Sequence, residues 1–459
     1  MLLVKRTINY IVLTAFFLSI YSVLQAQENS PYSRYGLGDL YPNQSIASRA
    51  MGGITAAYND GQTLNADNPA TYGDIRSYNN GGMVTFDVGT SIDSRTLHSV
   101  NPVLKYNSAN FIPSYILIGL PLSKKHWGLV AGLRPMTRVN YSIQSPGRIP
   151  ADTLENLYEG SGGVNQAFVG IGKRWGGFSI GANGGYLFGR KEISTKTIFL
   201  NDSVRYNSGN VAEQQNFGGL FAAVGTQVNI KLGTKTDSLS KIKSTYSLRL
   251  GVAGMFKQNI NVTSDKLNET FTYDANGAVV AQDTVWYHPD VNGKVVLPTT
   301  FNAGFMIVDQ QSLLGIATDY KWMAGAEISV GKWGDEYHYP DKSEPLTNSW
   351  MLRAGVQFVP SLFSASGGFF GHAIYRAGFY TGNDYVRADG NDLKVTAFTF
   401  GAGFRTRKFN SYSNQSTVIN TAFEIGRRGT NVNNITENFF KFSVGLSLSD
   451  IWFIKRKYD

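Results

Sequence analysis

Proton transfer and metal binding would fall first to histidine, and the chain has five: His98, His126, His288, His338 and His372. They are scattered, and no pair has metal-ligand spacing on a strand. The 459 residues include no cysteine, which removes disulfides, thiolate zinc sites, iron–sulfur clusters and thiol nucleophiles. The 50 glycines follow strand periodicity and form no phosphate-cradling loop. A Ser–His lipid hydrolase would have to draw on His126 or His372, and histidines near strand turns are more often interfacial than catalytic. We expect no catalytic residues, no metal, no cofactor and no enzyme. The more informative groups are charges at the polar parity of strand-like segments: Arg249, Lys257, Arg353, Arg376, Glu424, Arg428 and Lys441. Arginine suits bidentate capture of a carboxylate.

The elements that carry those charges alternate with period two. Phe440, Phe442, Val444, Leu446 and Leu448 are interleaved with Lys441, Ser443, Gly445, Ser447 and Ser449. Tyr246, Leu248, Leu250, Val252 and Phe256 oppose Ser247, Arg249, Gly251, Ala253 and Lys257. Segments around Phe178–Phe188 and Phe398–Phe404 repeat the design. The second face is mostly Gly, Ser, Ala, Asn and Thr, which suits a polar lumen better than an open surface. Charged residues are 16% of the chain and the mean hydropathy is -0.17, low in charge for a soluble domain yet far from a helical membrane bundle. A closed barrel satisfies every backbone group in lipid. The fold predicted is all-β: an antiparallel transmembrane barrel of about 14 strands, centred near residues 87, 115, 132, 169, 183, 222, 250, 303, 317, 354, 376, 399, 422 and 444. Short connections are expected at Pro121–Lys125, Trp175–Gly177 and Asp309–Gln311, and long ones at 143–162, 191–212, 259–297 and 323–348. The 259–297 segment carries two turn signals and is expected to form an exposed hairpin.

Residues 1–26 read as a secretory signal peptide, with Lys5 and Arg6 before an apolar run and Ala26 at the cleavage point. Residues 27–79 do not alternate, and only 45–58 could make a short helix. Fourteen strands close at a radius of roughly 14 Å, too wide for side chains to fill. We therefore expect residues 27–79 to plug a barrel formed by 80–459. Plug carboxylates Asp39, Asp60, Asp67 and Asp74 are expected to pair with the lumen cations. Pro135 lies inside a strand, where it removes a ladder donor and marks a break.

The stretch Ser48-Arg49-Ala50-Met51-Gly52-Gly53, followed by Ala57 and Asn65-Ala66-Asp67-Asn68-Pro69-Ala70, resembles the hatch of the FadL-type outer-membrane transporters. Asn68, Pro69 and Ala70 match its hatch motif. Leu297-Pro298-Thr299 with Asn302-Ala303-Gly304, then Asp319 with Trp322, and Arg353-Ala354-Gly355, resemble later strands in order. The terminal stretch from Trp452 to Asp459 departs from the family, whose chains stop at an aromatic residue; the assembly signal would then fall on Trp452 or Phe453.

The resemblance implies passive uptake of long-chain fatty acids or other hydrophobic molecules across the outer membrane of a Gram-negative-type bacterium, with both termini periplasmic. Arg249, Arg353 and Arg376 are the candidates for holding a ligand carboxylate, and Trp322, Trp333 and Trp350 for capturing the ligand from outside. Pro69 fixes its own φ, so the motif is a rigid corner. The alternative is an accessory or shuttle barrel of a protein secretion system. A net charge of +9 favours contact with lipopolysaccharide or lipid headgroups. No nucleic-acid partner is expected, and a monomer is.

Overall fold

The protein is described by a computed structural model covering residues 30–75, 77–78, 81–123, 126–149, 152–200, 206–274, 278–313, 317–340, 344–363, 368–388, 390–407 and 415–451. The expected signal peptide and the Trp452–Asp459 tail lie outside the described residues.

Alternation delivers what it predicts: a closed antiparallel barrel of 14 strands. We number them β1 (Gly81–Ser99), β2 (Leu104–Ser123), β3 (Trp127–Pro135, resuming at Thr137–Ile149), β4 (Asp152–Trp175), β5 (Phe178–Phe199), β6 (Ser208–Thr236), β7 (Ile242–Met255), β8 (Thr300–Leu313), β9 (Ala317–Gly331), β10 (Ser349–Phe358), β11 (Ile374–Ala388), β12 (Asn391–Arg407), β13 (Ser416–Arg428) and β14 (Ile435–Ile451). Closure is made by β14 on β1, from Ile435↔Ser99 to Ile451↔Met83. That ladder brings the start of β1 and the end of β14 to one end of the barrel, called here the near end.

Each expected centre falls within a strand, although 317 marks only the first residue of β9. Asp309–Gln311, where a turn is expected, belong to the β8–β9 ladder, which runs on to Leu313↔Ala317. The long loops expected at 143–162 and 191–212 are mostly strand, because β3 with β4 and β5 with β6 keep pairing far beyond the apolar zone. Ladder hydrogen bonds need no greasy rhythm, so sequence alternation underestimates strand length there. The expected hairpin is present: Gln258–Tyr273 pairs with Val279–Leu297 and continues the β6 ladder beyond β7. It raises a crest on one side of the far end.

Phe178, Ile180, Tyr186 and Phe188 are exposed on the outer face of β5, while Ser179, Asn183 and Leu187 are buried. The apolar outward row on β5 ends at Arg190 and Glu192. Ten residues of tilted strand rise about 25 Å, the height of a membrane-spanning band.

The wall has one discontinuity. β2 pairs with β3 only over Ile116–Ser123 and Trp127–Leu133. Among the described residues, no ladder joins the remainder of β2 to Thr137–Ile149. Pro135 ends the first part of β3, and the Met136 N–H turns to the Val164 carbonyl at 2.8 Å. Pro113 and Pro146 sit on the strands that border the gap, where an absent N–H removes the least pairing. Two residues from the amino-terminal segment fill part of this edge: Asp39↔Arg138 and Leu40↔Thr137 form a short antiparallel pairing, and Tyr41 N–H donates to Met136 O at 2.9 Å.

Residues 30–75 lie inside the barrel. They form two 3-10 turns, Pro31–Arg34 and Pro69–Asp74, and one short α-helix, Ile46–Arg49. The helix is shorter than the 45–58 expected, because Gly52 (φ 74°) and Gly53 (φ 80°) take left-handed conformations just after it. Ile46, Met51, Ile54, Tyr58 and Tyr72 are at most 1% exposed. Inward glycines let backbone approach backbone: a Cβ at Gly251 would overlap the Ala56 carbonyl, and one at Gly128 would overlap that of Tyr72. Gly251→Val should therefore keep the inner segment from seating against the wall, while the wall itself still closes. Limited proteolysis should cut residues 30–75 in the variant, while its unheated gel migration stays that of a folded barrel.

Candidate functional site

The inner segment is fastened to the wall by charge. Asp39 pairs with Arg95 (3.1 Å) and Arg428 (2.9 Å), Asp67 with Arg134 (2.6 Å), Asp74 with Arg174 (2.5 Å) and Asp60 with Arg376 (3.9 Å). All four expected carboxylates thus face a wall cation. In one place the polarity is reversed. Arg49 of the inner helix, 3% exposed, donates to wall Glu424 (Nε 2.7 Å) and to Ser91 (2.7 Å). Glu327 on β9 accepts the N–H groups of Thr55 and Ala56, each at 2.6 Å. Breaking one member of such a buried set costs about 3–5 kcal/mol, because the partner is left charged and dry.

Alternation read Arg249, Arg353, Arg376, Glu424, Arg428 and Lys441 correctly as inward. Lys257 is a correction: it is exposed at the break between β7 and the hairpin. The wall also holds inward acids that the reading missed, namely Asp87, Asp93, Glu327 and Glu437. On β1 a signal was available, since Thr85, Asp87, Ser91, Asp93 and Arg95 share one parity against Phe86, Val88 and Ile92.

The segment 30–41 crosses the far half of the lumen as a strap. Ser30 Oγ donates to Glu437 (2.6 Å), Gly36 N–H to Glu344 (2.6 Å), and Lys191 Nζ to Gly36 O (2.8 Å). Tyr385 donates its hydroxyl to Gly38 O. Beneath the strap lies a cavity of about 410 Å³. It is lined by charge (Arg95, Arg134, Arg353, Asp67, Glu437) and by apolar surface (Met136, Phe221, Met255, Trp333, Trp350, Phe439). Tyr41, Pro42 and Met136 carry it to the inner side of the wall gap. Trp333 is seated by the turn Trp333–Glu336, whose Glu336 accepts the Thr299 N–H at 2.8 Å; that bond holds the Glu336 carboxyl below its ordinary range.

The three candidate arginines part company. Arg353 lines the cavity, with Nη1 on Ser329 and Glu327 and the Nε edge turned toward Gly53. Arg249 is occupied beneath the inner segment, donating to Asn59 O (2.5 Å) and Tyr320 Oη (2.7 Å). Arg376 donates to Gln357 (2.7 Å) and Asn420 (2.8 Å). Neither lines the cavity. Trp333 does; Trp350 borders the cavity but lies in the exposed outward row of β10 with Leu352 and Val356, and Trp322 lies toward the near end, opposite Phe358. In the motif, Asn68 accepts from Ala70 N–H (3.1 Å) and donates to Ala56 O (2.5 Å) and Thr226 O (3.3 Å). Pro69 O abuts Gly172 and Gly181. The corner is anchored to the wall. Among the described residues no group of His, Asp and Glu could hold a metal ion.

The BamG family model matches residues 3–459. The chain belongs to the BamG family. Among curated proteins, none matches it in sequence. Among solved structures, this BamG-family chain is similar in fold to the CymD monoaromatic hydrocarbon channel (13% identity, 92% of this chain and 99% of that one, TM-score 0.51). It is similar also to a Pseudomonas aeruginosa FadL homologue (10% identity, 91% and 100%, TM-score 0.51) and to the Ralstonia pickettii toluene transporter TbuX (13% identity, 89% and 98%, TM-score 0.50).

The Glu327 clamp gives a direct test. Glu327→Ala strands two N–H groups and Arg353, a loss of about 3 kcal/mol or more. Hydrogen exchange at Thr55 and Ala56 should then accelerate by roughly a hundredfold, with the wall ladders unchanged.

Proposed function

We propose that this chain is an outer-membrane barrel for passive uptake of hydrophobic small molecules, and that residues 27–79 act as its hatch. The observation that carries this reading is the cavity beneath the strap, which leads from the far end to the gap between β2 and β3. Cargo enters past Trp333, rests in the cavity, and leaves sideways into the bilayer once residues 30–41 move. The strap, which contains Gly36 and Gly38, is the moving part, because the Asn68-Pro69-Ala70 corner is bonded to the wall. A concentration gradient drives the step. The near end, with its short turns and both ends of the barrel chain, faces the periplasm, and the barrel works as a monomer among phospholipid and lipopolysaccharide. Likeness in fold to the CymD monoaromatic hydrocarbon channel and to the toluene transporter TbuX supports an apolar cargo. Long-chain fatty acids are the cargo that Arg353, which lines the cavity, would select through its guanidinium.

A second reading, an accessory barrel in outer-membrane protein export, is favoured by the crest. The strand Val279–Leu297 is exposed along most of its length, an edge that suits a protein partner. Removing residues 262–293 would abolish that role and leave uptake intact.

The absence of native cysteine makes the gate testable. Leu40 and Thr137 stand directly opposite, a placement compatible with a disulfide. In Leu40→Cys/Thr137→Cys, uptake of a labelled hydrophobic compound should fall at least about tenfold when oxidised and recover on reduction. Unchanged uptake with the bond formed rules out the strap as gate. Arg353→Ala should depress fatty-acid uptake and spare a neutral hydrocarbon; equal effects on both remove the carboxylate role.

A further inference from the structure

Lys173 is an outward-facing cation with no carboxylate partner among the described residues. On β4 the outward row runs Val169 (55% exposed), Ile171 (42%), Lys173, Trp175 (51%) toward the near-end turn. Its ladder partner on β3 is Trp127. The ammonium lies 4.4 Å from the centre of the Trp127 ring and 4.5 Å from that of Trp175. Trp175 in turn stacks on Phe178 at 6.4 Å. Two π faces thus hold one Nζ in place and satisfy none of its three N–H donors.

Depth decides what meets those donors. Lys173 is level with Ile180, and Trp175 with Phe178, where the apolar outward row of β5 begins. A cation at the edge of that band lies at headgroup height, and indoles favour the same boundary. The inward neighbour Arg174 is already bound to Asp74 (2.5 Å) and to His126, so among the described residues of β3 and β4 at this level the unpaired charge is that of Lys173. Above Lys173 the outward pairs are Leu129 with Ile171, Ala131 with Val169 and Leu133 with Ala167; the two alanines make this apolar strip shallowest between their larger neighbours, a trough that leads toward Pro135 and the wall gap.

We propose that Lys173, clamped between Trp127 and Trp175, is a seat for one phospholipid, with the phosphate on Nζ and an acyl chain in the trough below the gap. This rests on the barrel's membrane placement and not on uptake, so it can fail while uptake stands, and the reverse.

The test is native mass spectrometry of the purified chain titrated with phosphatidylethanolamine or with diacylglycerol, which shares the tails and lacks the phosphate. The wild type should keep one phosphatidylethanolamine and little diacylglycerol. Lys173→Gln should bind it about tenfold more weakly, Lys173→Arg should retain it, and Trp127→Ala/Trp175→Ala should weaken it with the lysine intact. Unheated gel migration confirms that each variant is folded. Equal retention by Lys173→Gln, or equal binding of diacylglycerol, overturns the proposal. So does photo-crosslinking to a protein, in place of lipid, from a photoreactive residue substituted for Leu129, the ladder partner of Ile171.

Discussion

A charge enclosed in a barrel must find its opposite across the space, because water is scarce there and neighbouring strands offer mostly glycine, serine and alanine. That constraint organises the interior. Arg49 reaches outward to Glu424 while Asp39, Asp67 and Asp74 reach outward to Arg95, Arg134 and Arg174. Each pair is unremarkable in energy against a well-packed apolar alternative. Together they specify where the inner segment sits, since sliding it by one residue would leave several buried charges without partners. Ionic pairing here supplies register more than stability.

Much of this was legible in the chain. Phe440–Leu448 and Tyr246–Phe256 announce which way each strand faces, and a lipid-facing row tolerates few polar residues. Pro135 ends the first part of β3 beside the wall gap, and proline cannot serve a continuous ladder. Other features were hidden for physical reasons. Strand length beyond the apolar band leaves no hydrophobic rhythm, so the extensions of β3 to β6 read as loops. Which arginine meets the cavity depends on where the inner segment runs. Arg249, Arg353 and Arg376 look equivalent by parity, yet the segment covers two of them and leaves Arg353 open. Asp87, Asp93 and Glu327 escaped notice because an isolated acid in a strand carries no sign of its partner until the interior is filled.

The wall gap and the strap are a single feature seen from two sides. β3 needs edge partners beyond Met136, and β2 does not provide them. Residues 30–41 do, through Asp39, Leu40 and Tyr41. The chain closes its own sheet with a piece that is joined to the wall by a few bonds in place of a full ladder, so the weakest part of the wall is also the part nearest the cavity.

The glycine-lined inner wall has a bearing on how the molecule is made. Backbone of the inner segment touches backbone of the wall at Gly128, Gly251, Gly355 and Gly378, and the seam between β14 and β1 completes the ring. A core this tightly enclosed cannot be threaded into a finished cylinder through either mouth. In the native molecule residues 30–75 therefore take their place before the seam zips, and the last part of the chain is wrapped around the first.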